Sequence, residues 1–323
     1  MPQSSPLVLI IRLDGIGDAL ALSPLLWALR ERNLPVDLVL CSENATIFAP
    51  GAVRNVEIAP FALRSRTKAN LTAIASFARS LRERTYGIVL VATEDPGGYR
   101  LAQAIGAPER IGFANGWGKP LKTLWVHARL TRTLYRPAGL DARKRHECEV
   151  LFELGRSLVG DAQPTRDAAA LASLVLERDV PRTGPVAIQI TRKWLAYGAT
   201  VAELAALVRR IATERGVRAI ASSREHGLAG AVAAASGVSV ERFEQTEPWK
   251  EAIAGAQALV APDSGATHVA GMVGTPTVAI FAAQPQFDRQ VARWHPWAAP
   301  YRIIKPEGQW AQRVVASLDI LLS

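Results

Sequence analysis

The feature that most constrains this chain is a rhythm: short apolar runs alternate with longer amphipathic stretches almost from end to end. Runs of four to six apolar residues separated by helical patterns are the mark of parallel-sheet α/β units, because a parallel strand needs a crossover helix to return to the same edge. In the first half the candidate strands are 7–12, 36–41, 55–58 and 88–92, with helices around 19–32, 71–84 and 99–105. A glycine- and aromatic-rich segment, 110–134, reads as strands and loops, and a helix is expected from His146 to Gly160. The polar, proline-containing DAQPTRD that follows suits a linker. The rhythm then restarts with PVAIQI, VRAIAS, VSVERF, ALVAP and PTVAIF, each followed or preceded by helical pattern. Two such halves predict two Rossmann-like domains, 1–162 and 163–323, facing each other across a cleft, with a last helix at about 308–322 that could pack back on the first domain. At 323 residues the chain exceeds the size at which one core stops growing, which agrees with two domains.

Composition narrows the class. The chain is 49% hydrophobic and 21% charged, with no apolar run near the ~18 residues of a membrane span. The N-terminus lacks a basic leader pattern, so the sequence reads as a cytoplasmic protein. Cys41 and Cys148 show no CxxC spacing, so neither a disulfide framework nor a metal site is expected. A net charge of +9 suits an acidic partner, or simply solubility. Without a lysine- and arginine-rich block, a nucleic-acid module is not expected.

In sheets of this kind the informative residues follow the strands. After the first strand comes RLDGIGDALALSPLL. Gly15 and Gly17 lack the third glycine of a dinucleotide fingerprint, which disfavours an NAD-dependent oxidoreductase, and Asp18 would set a carboxylate where a pyrophosphate should lie. Asp18 therefore either caps the helix or serves a site that wants a carboxylate at its mouth. After ALVAP comes DSGATH, where Asp263, Ser264, Gly265 and Ala266 pass from strand to helix and would turn N–H groups toward an anion. His268 lies one turn on, where it either bonds a phosphate or holds the loop. Arg192 and Lys193 follow PVAIQI and are suited to a diphosphate, against the plain alternative of a solvated loop. Glu225 follows VRAIAS, where an acid can accept ribose hydroxyls or cap a helix.

These positions together resemble glycosyltransferase family 9, the ADP-heptose:lipopolysaccharide heptosyltransferases, over nearly the whole chain. The resemblance is carried by RLDGIGDALALSPLLWALRER and DSGATHVAGMVGTPTVAIF, with RIGF, HECEVLFELG and RWHPW in support. It implies the GT-B architecture, donor binding mainly by the second domain, acceptor binding by the first, inversion at the anomeric carbon and no resident metal or cofactor. Asp18 matches the catalytic-base position. Asp263, Ser264, Gly265, Ala266 and His268 match the donor-diphosphate loop, and Glu225 the acid near the donor ribose. Arg192 stands where the family often has lysine, with Lys193 beside it, so either cation could meet the phosphate. FAAQ at 281–284 replaces the usual Phe-Gly-Pro-Thr.

The implied donor is ADP-heptose and the implied acceptor an acidic glycolipid or saccharide at the inner face of a bacterial inner membrane. Gly15 and Gly17 would leave room for it, and Arg64, Arg66 and Lys68 in the loop ALRSRTKAN either contact its anionic groups or are ordinary solvated loop charge. A nucleotide-sugar isomerase or epimerase on the same fold, and a non-catalytic nucleotide-sugar binder, stay open as alternatives.

Overall fold

The computed structural model describes residues 6–137, 139 and 144–323. Residues 1–5, part of the segment read for a leader, lie outside the described residues. The chain divides into two compact units, Met1–Thr165 and Arg166–Ser323.

The first unit is a six-stranded sheet of β1 (Val8–Arg12), β2 (Val36–Leu40), β3 (Asn55–Ile58), β4 (Ile88–Val91), β5 (Glu109–Ala114) and β6 (Arg132–Tyr135). Its spatial order is β3-β2-β1-β4-β5-β6, and every paired neighbour is parallel. The second unit repeats this with β7 (Val186–Ile190), β8 (Val217–Ser222), β9 (Val240–Phe243), β10 (Leu259–Pro262), β11 (Thr277–Ile280) and β12 (Tyr301–Ile304). Their order, β12-β11-β10-β7-β8-β9, is the same doubly wound topology, again all parallel. Central strands are buried on both faces, which is why VLIIR, IVLV and VAIQI read as continuous apolar runs. Each sheet has one place where the order of strands reverses, between β1 and β4 and between β7 and β10; ligands of such folds bind just beyond the carboxyl ends there.

Several local expectations change. The helix expected over 19–32 is two, Ile16–Leu20 and Ser23–Glu31, the second entered through Pro24 in its first turn. The segment 110–134 is not all strand and loop. It holds a helix, Pro120–His127, whose first residue is a proline suited to that position. The helix expected from His146 to Gly160 is broken into Glu147–Phe152, a 3-10 turn and Arg156–Val159. The polar linker gives way to a further helix, Ala168–Val175, capped by Asp167.

The final helix, Trp310–Leu322, spends its apolar face within the second unit: Trp310, Val314, Val315 and Leu318 join the core built on β7, β8, β10 and β11. Trp310 meets Trp194 at 5.5 Å between ring centroids.

Candidate functional site

In the first unit, β1 ends in an arginine. A charge at the end of a doubly buried strand must be paired, and Arg12, 2% exposed, is paired several times over. Its Nη2 donates to Asp18 Oδ1 at 2.7 Å and its Nε to the Asp18 carbonyl at 3.0 Å. It also donates to the Ala92 carbonyl at the end of β4, and lies 3.5 Å from both Asp14 Oδ2 and Glu147 Oε1. Burial works against the guanidinium's charge, but Asp18, Asp14 and Glu147 outweigh it and raise its pKa. The chain of charges continues through Glu147, which takes both oxygens to Arg136 at 2.9 and 3.0 Å, to Glu94 and Lys122. Burial would lift the Glu94 carboxyl, but Lys122 and Arg136 hold it below its ordinary range.

Asp18 does not cap its helix. The cap position is Gly15, and Asp18 lies in the first turn, partly exposed, anchored from below by Arg12. At Gly15 the backbone is extended, and a Cβ would meet nothing closer than Asp18 Oδ2 at 3.7 Å. Neither conformation nor packing demands glycine there, so its effect is to leave the approach to Asp18 open.

Arg64 and Arg66 lie in the exposed loop after β3, whereas Lys68 is the first residue of the helix Lys68–Arg82. The loop is built. Asn70 accepts from Ala62 N at 2.7 Å and donates to Ala62 and Ser65 carbonyls, and Arg64 N donates to Asp95 Oδ2 at 2.7 Å, at the end of β4. The loop is thereby tied to the strand beside β1 while its cationic side chains face outward.

In the second unit the residues following β7, β8 and β10 come together, because these strands are neighbours. Lys193 Nζ donates to the Asp263 carbonyl at the foot of the helix Gly265–Val273. Arg192, 76% exposed, turns the other way: its Nε lies 3.4 Å from Glu225 Oε2 and its backbone N donates to Oε1 at 3.1 Å. Thr191 Oγ1 donates to the same Oε1 at 3.0 Å. Of the two cations, then, it is Lys193 that reaches the DSGATH loop.

Asp263 is buried against His268, whose Nε2 lies 3.6 Å from Oδ1, and Gln290 Nε2, 3.4 Å from Oδ2. Burial would lift its carboxyl, but His268, Lys193 and Gln290 together hold it below its ordinary range. His268 packs edge-on to Trp294 at 5.4 Å. The loop thus has its carboxylate turned inward and stands at the N-terminus of the helix Gly265–Val273, where the helix dipole favours an anion. Ser264 Oγ is buried with no hydrogen-bond partner among the described residues, a spare donor at the same spot. Burial and the nearby Asp263 push Tyr197 up to about 12, so its phenol stays protonated as another donor near the loop.

The helix is set in place from its far end. A Cβ on Gly271 would fall 2.7 Å from Trp297 N and 3.0 Å from Pro296 Cα, so only glycine lets the helix lie on the RWHPW segment. Ala298 N donates to the Gly271 carbonyl at 2.8 Å.

Sequence reading missed Arg12, Asp14, Glu94, Arg136 and Glu147 in the first unit and Tyr197, Gln290 and Trp294 in the second. Arg12 carried a signal, as a charged residue closing a buried apolar run. Among the described residues no cluster of three or more histidine, cysteine or acidic side chains is arranged to hold a metal ion.

Residues 242–318 match the family model of glycosyltransferase family 9 (heptosyltransferase). Among solved structures, a glycosyltransferase family 9 protein from Veillonella parvula is similar with a TM-score of 0.73 at 15% identity, over 100% of this chain and 98% of that one. The Escherichia coli heptosyltransferase WaaC with ADP gives 0.71 at 17% identity, over 98% and 99%. The E. coli ADP-heptose lipopolysaccharide heptosyltransferase II gives 0.69 at 17%, over 98% of each chain. No curated protein matches the chain by sequence.

The fold of the whole chain is that of these glycosyltransferases, two doubly wound α/β units of the GT-B class, and its second unit carries a segment with the family 9 sequence pattern. The segment matched by the glycosyltransferase family 9 model includes Asp263, Ser264, Gly265, Ala266 and His268, the part of the chain where the sequence resemblance placed its donor loop.

Proposed function

We propose that this glycosyltransferase moves a heptose, or a closely related sugar, from ADP-heptose to a lipopolysaccharide core or similar acidic saccharide, with inversion at the anomeric carbon. The observation that carries the reading is the convergence of Lys193, the spare Ser264 hydroxyl and the first turn of Gly265–Val273 at the switch point of the second sheet. Such a constellation suits a diphosphate: an ammonium, a hydroxyl and helix N–H groups all donate. The presence of ADP in the similar WaaC structure supports a nucleoside diphosphate there.

In this reading Asp18 is the general base. The acceptor hydroxyl loses its proton to the Asp18 carboxylate as its oxygen bonds to C1, and the bond from C1 to the diphosphate oxygen breaks. The departing diphosphate gains charge, which Lys193 and the helix terminus stabilise. Arg12 pairs with that carboxylate and fixes its position. Glu225 orders Thr191 and Arg192 and lies where a ribose would present its hydroxyls. Arg64, Arg66 and Lys68 contact anionic groups of the acceptor. The reading needs no cofactor besides the sugar nucleotide, and places the protein in the cytoplasm, peripheral to the inner membrane.

Incubation with ADP-heptose and a truncated core saccharide, followed by mass spectrometry, tests this. A product heavier by one heptose is expected. An epimerised free sugar nucleotide would instead establish an isomerase, and donor binding with no turnover a non-catalytic binder.

A further inference from the structure

The connection between β5 and β6 carries an apolar stripe that glycosyl transfer does not use. After β5 a 3-10 turn, Gly116–Gly118, leads into the helix Pro120–His127. The inner face of this helix is committed to the first unit's core: Val126 is fully buried, and Trp125 meets Tyr99 edge-on at 5.9 Å. The outer face is bare. Trp117 is 96% exposed, Leu121 84% and Leu124 71%. Leu121 and Leu124, three apart on the helix, share one face, and Trp117 lies in the 3-10 turn that leads into it. Tyr135, 62% exposed, extends the patch from β6, its ring so close to Gly116 that a Cβ there would lie 3.1 Å away. Scattered exposed leucines need no explanation, but a wholly bare tryptophan grouped with two leucines and a tyrosine does.

The segment that carries the stripe is itself basic, and the acids that reach it, Glu94 and Glu147, are already paired with Lys122 and Arg136. Between residues 110 and 140 the sequence holds six arginines and lysines and no aspartate or glutamate. Arg110, Arg129, Lys122 and Arg136 are engaged with carbonyls or with Glu94 and Glu147. Lys119 and Arg132, both exposed, face solvent.

We infer that this stripe docks the first unit onto an anionic lipid bilayer, an inference that builds on the proposed reading because a lipid-borne acceptor would give the docking its purpose. Tryptophan and tyrosine prefer the headgroup level, where an apolar ring and a polar tip are both satisfied. Leu121 and Leu124 would enter the acyl boundary, and Lys119 and Arg132 would meet lipid phosphates. Charge complementarity selects this occupant over a second copy of this chain, since the same patch on a twofold partner would bring like charges together. No described helix is long and apolar enough to cross a membrane, so the contact is interfacial.

The test is co-sedimentation of the full chain with vesicles of phosphatidylglycerol and phosphatidylcholine in equal parts, or of phosphatidylcholine alone. The wild-type chain should partition onto the anionic vesicles. The triple variant W117S/L121S/L124S should partition about tenfold more weakly or less, by loss of buried apolar area, with an unchanged Tm because all three positions are exposed. K119E/R132E, which keeps the stripe, should lose the preference for the anionic vesicles. The inference is overturned if the wild type ignores anionic vesicles, if the triple variant binds them as well as the wild type, or if the wild type is a dimer that the triple variant turns into a monomer without any vesicle binding. Turnover of a water-soluble truncated core saccharide separates the two readings. Docking without transfer leaves the stripe standing and removes the proposed reaction, and transfer without docking does the reverse.

Discussion

The two units share one topology and place opposite chemistry at the same point of it. Beyond β1 and β4 the first unit gathers acids, Asp14, Asp18 and Glu147, around one buried guanidinium. Beyond β7 and β10 the second turns its acid inward to His268 and Gln290 and leaves an ammonium and a helix terminus at the loop. The topology supplies a place for a ligand, and the residues immediately after the strands decide whether that place gives or accepts protons. A network that fixes a carboxylate suits proton abstraction, and one that buries it suits anion binding.

This contrast can be broken most directly at Asp18. Asp18→Asn should lower kcat by about 10²- to 10⁴-fold, the span of general-base catalysis, while ADP affinity by calorimetry stays within a few fold. Unchanged turnover would remove the chemistry from the first unit. Arg12→Met should cost about 3–5 kcal/mol in denaturant unfolding, because it strands buried acids without their counter-ion; a loss below about 1 kcal/mol would mean that the acids do not depend on it. On the second unit, Lys193→Met should weaken ADP binding roughly tenfold to a hundredfold, the worth of a hydrogen bond to a charged group. Arg192→Met should weaken it only a few fold, and the reverse ranking would exchange their roles.

A smaller effect separates the units by pH. Asp37, on β2 at the amino end of the first sheet, would be lifted by burial, but Arg54, Tyr86, Asn55 and Arg84 bond it and lower it to about 2. Because its folded pKa is depressed, its contribution is complete above the unfolded value near 3.8 and is lost as pH falls from there toward 2. At about 1.36 kcal/mol per unit this amounts to roughly 2 kcal/mol. Because pH 3 lies between the two pKa values, urea unfolding at pH 7 and pH 3 should differ by about 1 kcal/mol more in the wild type than in Asp37→Asn, roughly half of the full contribution, and equal differences would discount the network. Smallest of all, alanine at Arg64, Arg66 and Lys68 together should raise the acceptor KM about threefold at low salt and hardly at all at high salt, as exposed charges do.

Central strands were legible because double burial makes them unbroken apolar runs. The edge strands β6 and β12 were not: RTLY and YRII are half exposed and carry no such run. The helix Pro120–His127 was hidden behind Asn-Gly-Trp-Gly, which reads as a loop. Asp18, Asp263 and the pair Arg192 and Lys193 stood out as candidates because ligand sites follow strand ends in this topology. Their partners could not. Arg12 and Glu147 are 135 positions apart in the chain and meet only through the folded sheet, and Gln290 and Trp294 reach the DSGATH loop from a helix, Phe287–Trp294, with no motif of its own.

Gly271 lies six residues beyond the start of its helix, about 9 Å along the axis, and its bare Cα against Pro296 and Trp297 acts as a fulcrum. A methyl group added there would tilt or slide the rod as a whole, and its leading end, with Ser264 and Gly265, would swing with it. The aim of the anion-facing turn is therefore set by an atom that is missing two helical turns away, and a neutral-looking change at that distant seat would be felt as a misdirected cradle.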